Sequence, residues 1–188
     1  MKKQSLLTAF FKIERKKMTV QMEDLFLWNH QEWVFINDKH SDKLFRFYEL
    51  KKYELFKPEN YGLNIKMFST NCRKGFLVQF AIKENNLFLE NLWVNCEYNI
   101  YPEINGVKAK YIDYSDKEEE LNYAGFHIYK NISERLYFSG KVIIGQEPQK
   151  GYLGNTFAFY VYDKVFELIF KNGVLQSFSD ISYTYKKF

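Results

Sequence analysis

Long apolar runs are missing from this chain, and so are most of the residues that punctuate loops. No stretch approaches the roughly 20 apolar residues that a membrane-spanning helix needs. Glycine and proline are scarce, 9 and 3 of 188 residues, which excludes the composition of a disordered, low-complexity chain. Cysteine occurs only at Cys72 and Cys96. Two thiols in a chain without a secretion signal read as reduced and structural. His30, His40 and His127 have neither His-x-His nor His-x-x-x-His spacing, so no zinc motif is present and no metal or cofactor is expected.

Charge of one sign is also lacking over most of the length. The formal net charge is +4, and residues 1–23 carry all of it, with six basic side chains against two acidic ones. The remainder is balanced, which argues against a nucleic-acid ligand, because polyanion-binding domains carry a basic face on the folded body. The tail MKKQSLLTAFFKIERKK has too short an apolar stretch for a signal peptide, and no small-residue cleavage site follows it. It is read as a basic N-terminal extension, residues 1–23, on a single domain, 24–188, in a soluble, cytoplasmic protein. An amphipathic helix touching a membrane surface is its lesser reading.

Aromatic residues are what the chain has in excess. They make up 20%, with 19 Phe and 15 Tyr, and such residues suit half-buried pleated surfaces. The stretch GFLVQFAIKENNLFLENLWVN, residues 75–95, is two apolar runs around a polar knot. A three-residue loop sets Val78 opposite Leu92, Leu77 opposite Trp93 and Ile82 opposite Phe88. A two-residue turn at Asn85-Asn86 sets Phe80 opposite Asn91. Register follows burial, so the three-residue loop is expected, in a central hairpin covered on both faces. In that register Cys96 faces Lys74, with Cys72 diagonal to it beyond disulfide reach.

Further strands are expected near 33–37, 43–49, 51–56 and 61–69, with Pro58 closing the third. Asn105-Gly106 and Lys171-Asn172-Gly173 mark tight turns, and Gly140 marks a bulge or a close approach. DYSDKEEELN, 113–122, has Ser115 and Glu118 at capping-box spacing and reads as a short helix or a solvated loop. The expected fold is mainly β, an antiparallel sandwich or barrel of about ten short strands with at most one or two short helices.

KENNLFLENL, INGVKAKY, LYFSGKVIIG and FELIFKNGVL, in this order over about 74–178, resemble a family of uncharacterised bacterial β-rich proteins with runs similar to DGKLYL, INGK, FSGxLxIP and LxIxNG. Gly145-Gln146 stands where that pattern tends to have proline. The resemblance implies a β-rich fold and a bacterial origin, and lends no catalytic residue.

Signals for chemistry are weak. Ser139-Gly140-Lys141 lacks the rest of a phosphate loop, and Gly151-Tyr152-Leu153-Gly154 is a lone clamp-like spacing. Asp113, Asp116 and Glu118–Glu120 form a charge run of the kind that is usually a solvated face. Asn131-Ile132-Ser133 is a glycosylation sequon, irrelevant inside a bacterial cell. Trp28, His30 and Trp33 are the candidate partner-binding residues, two indoles bracketing a polar turn, although aromatics at strand spacing are more often core. Without an organised catalytic set the reading favours a non-enzymatic protein-binding domain of immunity or accessory type. The alternative is a barrel or sandwich enclosing a small apolar ligand. A hydrolase whose residues meet only in the fold comes third.

Overall fold

The computed structural model describes residues 23–36, 55–67, 72, 74–112, 126–153 and 157–185. The expectations for the N-terminal extension, for strands at 43–49 and for 113–122 lie outside these residues.

Ten strands form one sheet: β1 (Leu25–Trp28), β2 (Gln31–Ile36), β3 (Phe76–Lys83), β4 (Asn86–Val94), β5 (Lys110–Ile112), β6 (Phe126–Tyr129), β7 (Glu134–Arg135), β8 (Gly140–Leu153), β9 (Phe157–Lys171) and β10 (Val174–Asp180). Seven of them close on themselves. The sheet runs β10-β9-β8-β2-β1-β3-β4, and β4 returns to β10 through Val174 and Asn86, making a closed seven-stranded barrel. The expected fold class is therefore observed, as a barrel and not a sandwich. β6 and β5 extend from β4 as a wing, and β7 pairs with β4 beside them. Among the described residues all strand pairings are antiparallel except β1 with β3. The strands are not all short, since β8 and β9 have 14 and 15 residues.

Period-two alternation sets the core. Phe26, Val78, Phe80, Leu89, Leu92, Val142, Ile144 and Leu168 share one buried cluster inside the barrel. Each such side chain contributes roughly 1.5–3 kcal/mol by leaving water. The outward face is not bare. Leu77, Trp93, Phe126, Ile128 and Cys72 make a second cluster, and Leu25, Val34, Ile143, Tyr162 and Val165 a third. Cys72 and Cys96 lie in different clusters, both free and buried, as expected of structural thiols.

The β3–β4 hairpin is covered on both faces, but its register changes along its length. Leu77 faces Trp93 and Val78 faces Leu92, as the sequence predicts; nearer the turn Ile82 faces Leu87, not Phe88. The turn is a two-residue one at Glu84-Asn85, with φ of 49° and 60°, a type I′ geometry that matches strand twist. An extra residue, Glu90, absorbs the mismatch as a bulge. Its carbonyl accepts a bond from Ile132 N–H at 2.8 Å, and its carboxylate meets Lys83 at 2.6 Å.

Residues 55–67 form no strand, correcting the expectation for 61–69 and the end of 51–56. Pro58 starts a 3-10 turn, Pro58–Tyr61, and Gly62 closes it at φ 68°; proline presets the first helical φ and glycine accepts the left-handed cap. Only Ile65 pairs, as a single bridge to Cys96.

Candidate functional site

After β4 the chain must leave the sheet, and the way it does so builds a surface. Cys96 bridges to Ile65, Lys66 N–H reaches Asn95 O at 2.9 Å and Glu97 N–H reaches Asn64 O at 2.8 Å. With the chain held there, Tyr98 and Asn99 both adopt positive φ, 59° and 55°. Asparagine tolerates this region, but tyrosine does so at a cost of about 1–2 kcal/mol. Tyr98 is 81% exposed and Ile100 60% exposed, so no burial offsets the strain.

The following residues fold back over the wing. Ile104 and Val107 exchange backbone hydrogen bonds across Asn105-Gly106, the expected turn. Asn105 Nδ2 donates to Ile132 O at 2.8 Å. This places Tyr101 flat on His127, ring centroids 3.6 Å apart and planes at 22°. Tyr111, opposite His127 in the β5–β6 ladder, approaches the imidazole from β5, at 5.3 Å and 56°, and is 58% exposed. Below, Cys96 N–H donates to Tyr101 Oη at 3.3 Å and Tyr129 Oη donates to Pro102 O at 2.7 Å.

The electrostatics follow from burial. The His127 imidazole titrates below its usual range because ionising it there loses water. Burial also raises the Tyr101 and Tyr129 phenols and pushes the Cys96 thiol to about 11. The group is thus neutral at physiological pH, and Cys96 is not a thiolate nucleophile. Tyr111 is exposed beside this neutral, ring-stacked histidine, and Tyr98 and Ile100 are exposed on the segment that leads into Tyr101. Among the described residues no group of three or more His, Cys, Asp or Glu side chains could hold a metal ion.

Of the candidates Trp28, His30 and Trp33, the two indoles take the core place that strand spacing favours, and not the partner-binding one. Asn29-His30 is a tight turn with φ of 51° and 61°, and His30 is exposed. The indoles point inward. Trp28 and Trp33 are 6% and 4% exposed, Trp33 Nε1 donates to Trp28 O at 3.2 Å, and both rings pack edge-on against Phe166. Their faces are therefore not presented to a partner. Exposed aromatic surface lies instead at Tyr98, next to the exposed Ile100, and at Tyr111, as it does at Tyr137, Phe178 and Tyr183. The traces of the Tyr98 segment in the sequence are Asn99 and Pro102 punctuating a Tyr-rich run.

A second titratable cluster knits the start of the barrel. Asp24, fully buried, accepts from Val78 N–H at 2.9 Å and from Lys74 Nζ, while its carbonyl accepts from Phe35 N–H at 2.8 Å. One residue thus joins β1, β2 and β3. Beside it, burial pushes the Glu23 carboxyl up to about 7, with Lys74 opposing and Asp24 reinforcing the shift. The Cys72 thiol, whose Sγ lies 3.4 Å from Phe76 O, rises to about 11, again mainly through burial. These contacts are structural: they hold strands together and present no nucleophile.

No family model, curated protein or solved structure matches the chain.

Proposed function

We propose that this chain is a protein-binding barrel, of the accessory or immunity type, and that its docking face is formed by Tyr98, Ile100 and Tyr111. The observation that carries the reading is Tyr98: a large aromatic held at φ 59° and 81% exposed. Strain kept at a surface where it stabilises nothing points to use, and exposed tyrosines beside an aliphatic side chain are the usual anchors of a protein interface. The balanced charge of the body suits a partner of no extreme charge.

Ring packing makes an enclosed apolar ligand the weaker reading. Phe26 lies 5.0 Å from Phe80 and 5.8 Å from Phe35, and Trp28 and Trp33 are 5.7 Å apart. Those rings occupy the interior, where a ligand would have to displace them. A hydrolase has less support still, since the histidine in the candidate face is stacked between phenols.

The test is capture of a partner from the protein's own cells at native level, by chemical cross-linking through a tagged chain, followed by substitution. Tyr98→Gly and Tyr111→Ser are expected to lose the captured protein. Tyr137→Ser, at another exposed tyrosine (73%), is expected to keep it. Retention of the partner by both of the first two variants overturns the assignment of the face. Tyr98→Gly also relieves the positive φ, so its stability should stay within about 1 kcal/mol of the parent.

A further inference from the structure

β10 closes the barrel over very little of its length. Toward β4 it pairs only at Val174 with Asn86, supported by Leu87 N–H to Gly173 O at 2.8 Å and Leu175 N–H to Asn85 O at 2.7 Å. Beyond that point Gln176, Ser177, Phe178, Ser179 and Asp180 are all exposed, and no described strand lies along their outer side.

Ladder parity identifies which backbone groups are turned outward. The Asn172-Gly173 turn makes Lys171 and Val174 the bonded pair nearest the turn. Lys171, Ile169 and Glu167 therefore direct their N–H and C=O toward β10, and Phe170 and Leu168 direct theirs toward β8. Two bonds fit this parity: Leu175 N–H, opposite Phe170, goes to Asn85 O in the turn before β4, and Val165 O accepts from Ile181 N–H at 2.9 Å. Phe178 stands opposite Leu168, so its own N–H and C=O point away from the sheet. Its ring is 57% exposed and packs edge-on against Trp28 at 5.0 Å and 71°.

We propose that this edge is a self-association site, at which β10 of a second copy of the chain pairs antiparallel about a two-fold axis passing between the two Phe178 residues. In that register the two Phe178 residues exchange both backbone hydrogen bonds. Their rings lie side by side on the face that carries Trp28. Ser177 of each copy faces Ser179 of the other, and Gln176 faces Asp180. A two-fold interface demands that one patch complement itself, and this one opposes no like charges and sets hydroxyl against hydroxyl. Gln176–Ser179 also contain no lysine or proline, the residues that commonly block edge pairing. The bulge between Leu175 and Ser177 limits the ladder to a few residues. The contact is accordingly small and its association reversible.

Sedimentation velocity of the purified full chain, from about 1 µM to about 1 mM, is expected to show a monomer–dimer equilibrium, and amide exchange at Phe178 to slow with concentration. Phe178→Asp sets two carboxylates side by side and should leave the chain monomeric throughout. Ser177→Lys with Ser179→Lys sets lysines opposite one another while keeping the ring against Trp28, and should do the same even if the first variant folds poorly. A monomer at every concentration, a dimer that survives the lysine pair, or a different protein bound at this edge of a monomeric chain would each overturn the proposal.

Discussion

Tyr101 covers the face of His127 at a centroid separation of 3.6 Å, and the covered imidazole is harder to charge than a free one. With its pKa lowered from 6.5 in the fold, His127 binds fewer protons folded than unfolded. Its contribution to stability is complete above pH 6.5 and is lost as the pH falls through 6.5 toward the lower, folded value. His127→Phe keeps a ring beneath Tyr101 and removes the proton. The variant's urea midpoint should then rise relative to the parent's at about pH 5, where the parent's imidazole is harder to charge folded than unfolded, and show no such pH-linked gain at about pH 8. An unchanged difference between the two midpoints would show that the stack does not govern this titration.

Glu23 acts in the opposite sense. Its carboxyl is raised from 4.5 to about 7, so between those values the folded chain holds a proton that the unfolded chain has released. Stability falls as pH rises through this window. Glu23→Gln removes the slope and is expected to gain on the order of 2 kcal/mol near pH 8, with no gain near pH 4. The two residues partly cancel in the parent between pH 5 and 7, so each is visible only against its own variant. A direct carboxyl titration of Glu23 with a midpoint near 4.5 would refute this account.

Local chemistry was readable wherever a turn residue had a single conformation to serve. Asn105-Gly106 and Asn172-Gly173 turn where expected, with φ of 49° and 74° at the first pair and 50° and 74° at the second. Gly140 allows the expected close approach, since a Cβ there would meet the Phe138 ring at 2.6 Å. Alternation also placed Leu77 opposite Trp93. What alternation cannot tell is which face becomes the inside of a closed barrel. That depends on the parallel β1–β3 pairing, in which Leu25 meets Gln79 across more than fifty residues. Strand spacing favoured a core place for Trp28 and Trp33, and they are buried, but it could not give the partners that cover them, such as Phe166. The exposed Tyr98 was hidden for a related reason: nothing in Glu97-Tyr98-Asn99 announces that the tyrosine, and not only the asparagine, will take positive φ.

The Asp24–Lys74 pair should behave as a coupled unit. Asp24 has no exposure, and its Oδ2 has no hydrogen-bond partner, so Lys74 supplies the charge that offsets its burial. Lys74→Met strands a buried carboxylate and is expected to cost about 3–5 kcal/mol. Asp24→Asn with Lys74→Met should cost clearly less than the sum of the two single changes, because the amide still accepts from Val78 N–H without carrying charge. Chemical denaturation of the four proteins at pH 7 measures this, and strict additivity would mean the pair is not coupled.

Two glycines with the same φ separate strain from collision. Gly106 and Gly173 both sit at φ 74°, but a Cβ at Gly106 has nothing within 4 Å, whereas one at Gly173 would lie 1.9 Å from Leu136 O. Gly106→Ala therefore carries only the conformational cost, about 1 kcal/mol. Gly173→Ala carries the same cost and must also push away the backbone of Leu136. That residue's N–H is bonded to Leu87 O at 2.9 Å, and Gly173 N–H itself is bonded to Phe138 O at 2.7 Å. The loss should be at least about 3 kcal/mol. It should come with faster amide exchange at Leu87 and Leu175, whose bonds to Gly173 O and Asn85 O join β4 to β10. Equal losses for the two alanines would mean that the seam yields without opening, and that Leu136 is not the obstacle its carbonyl position implies.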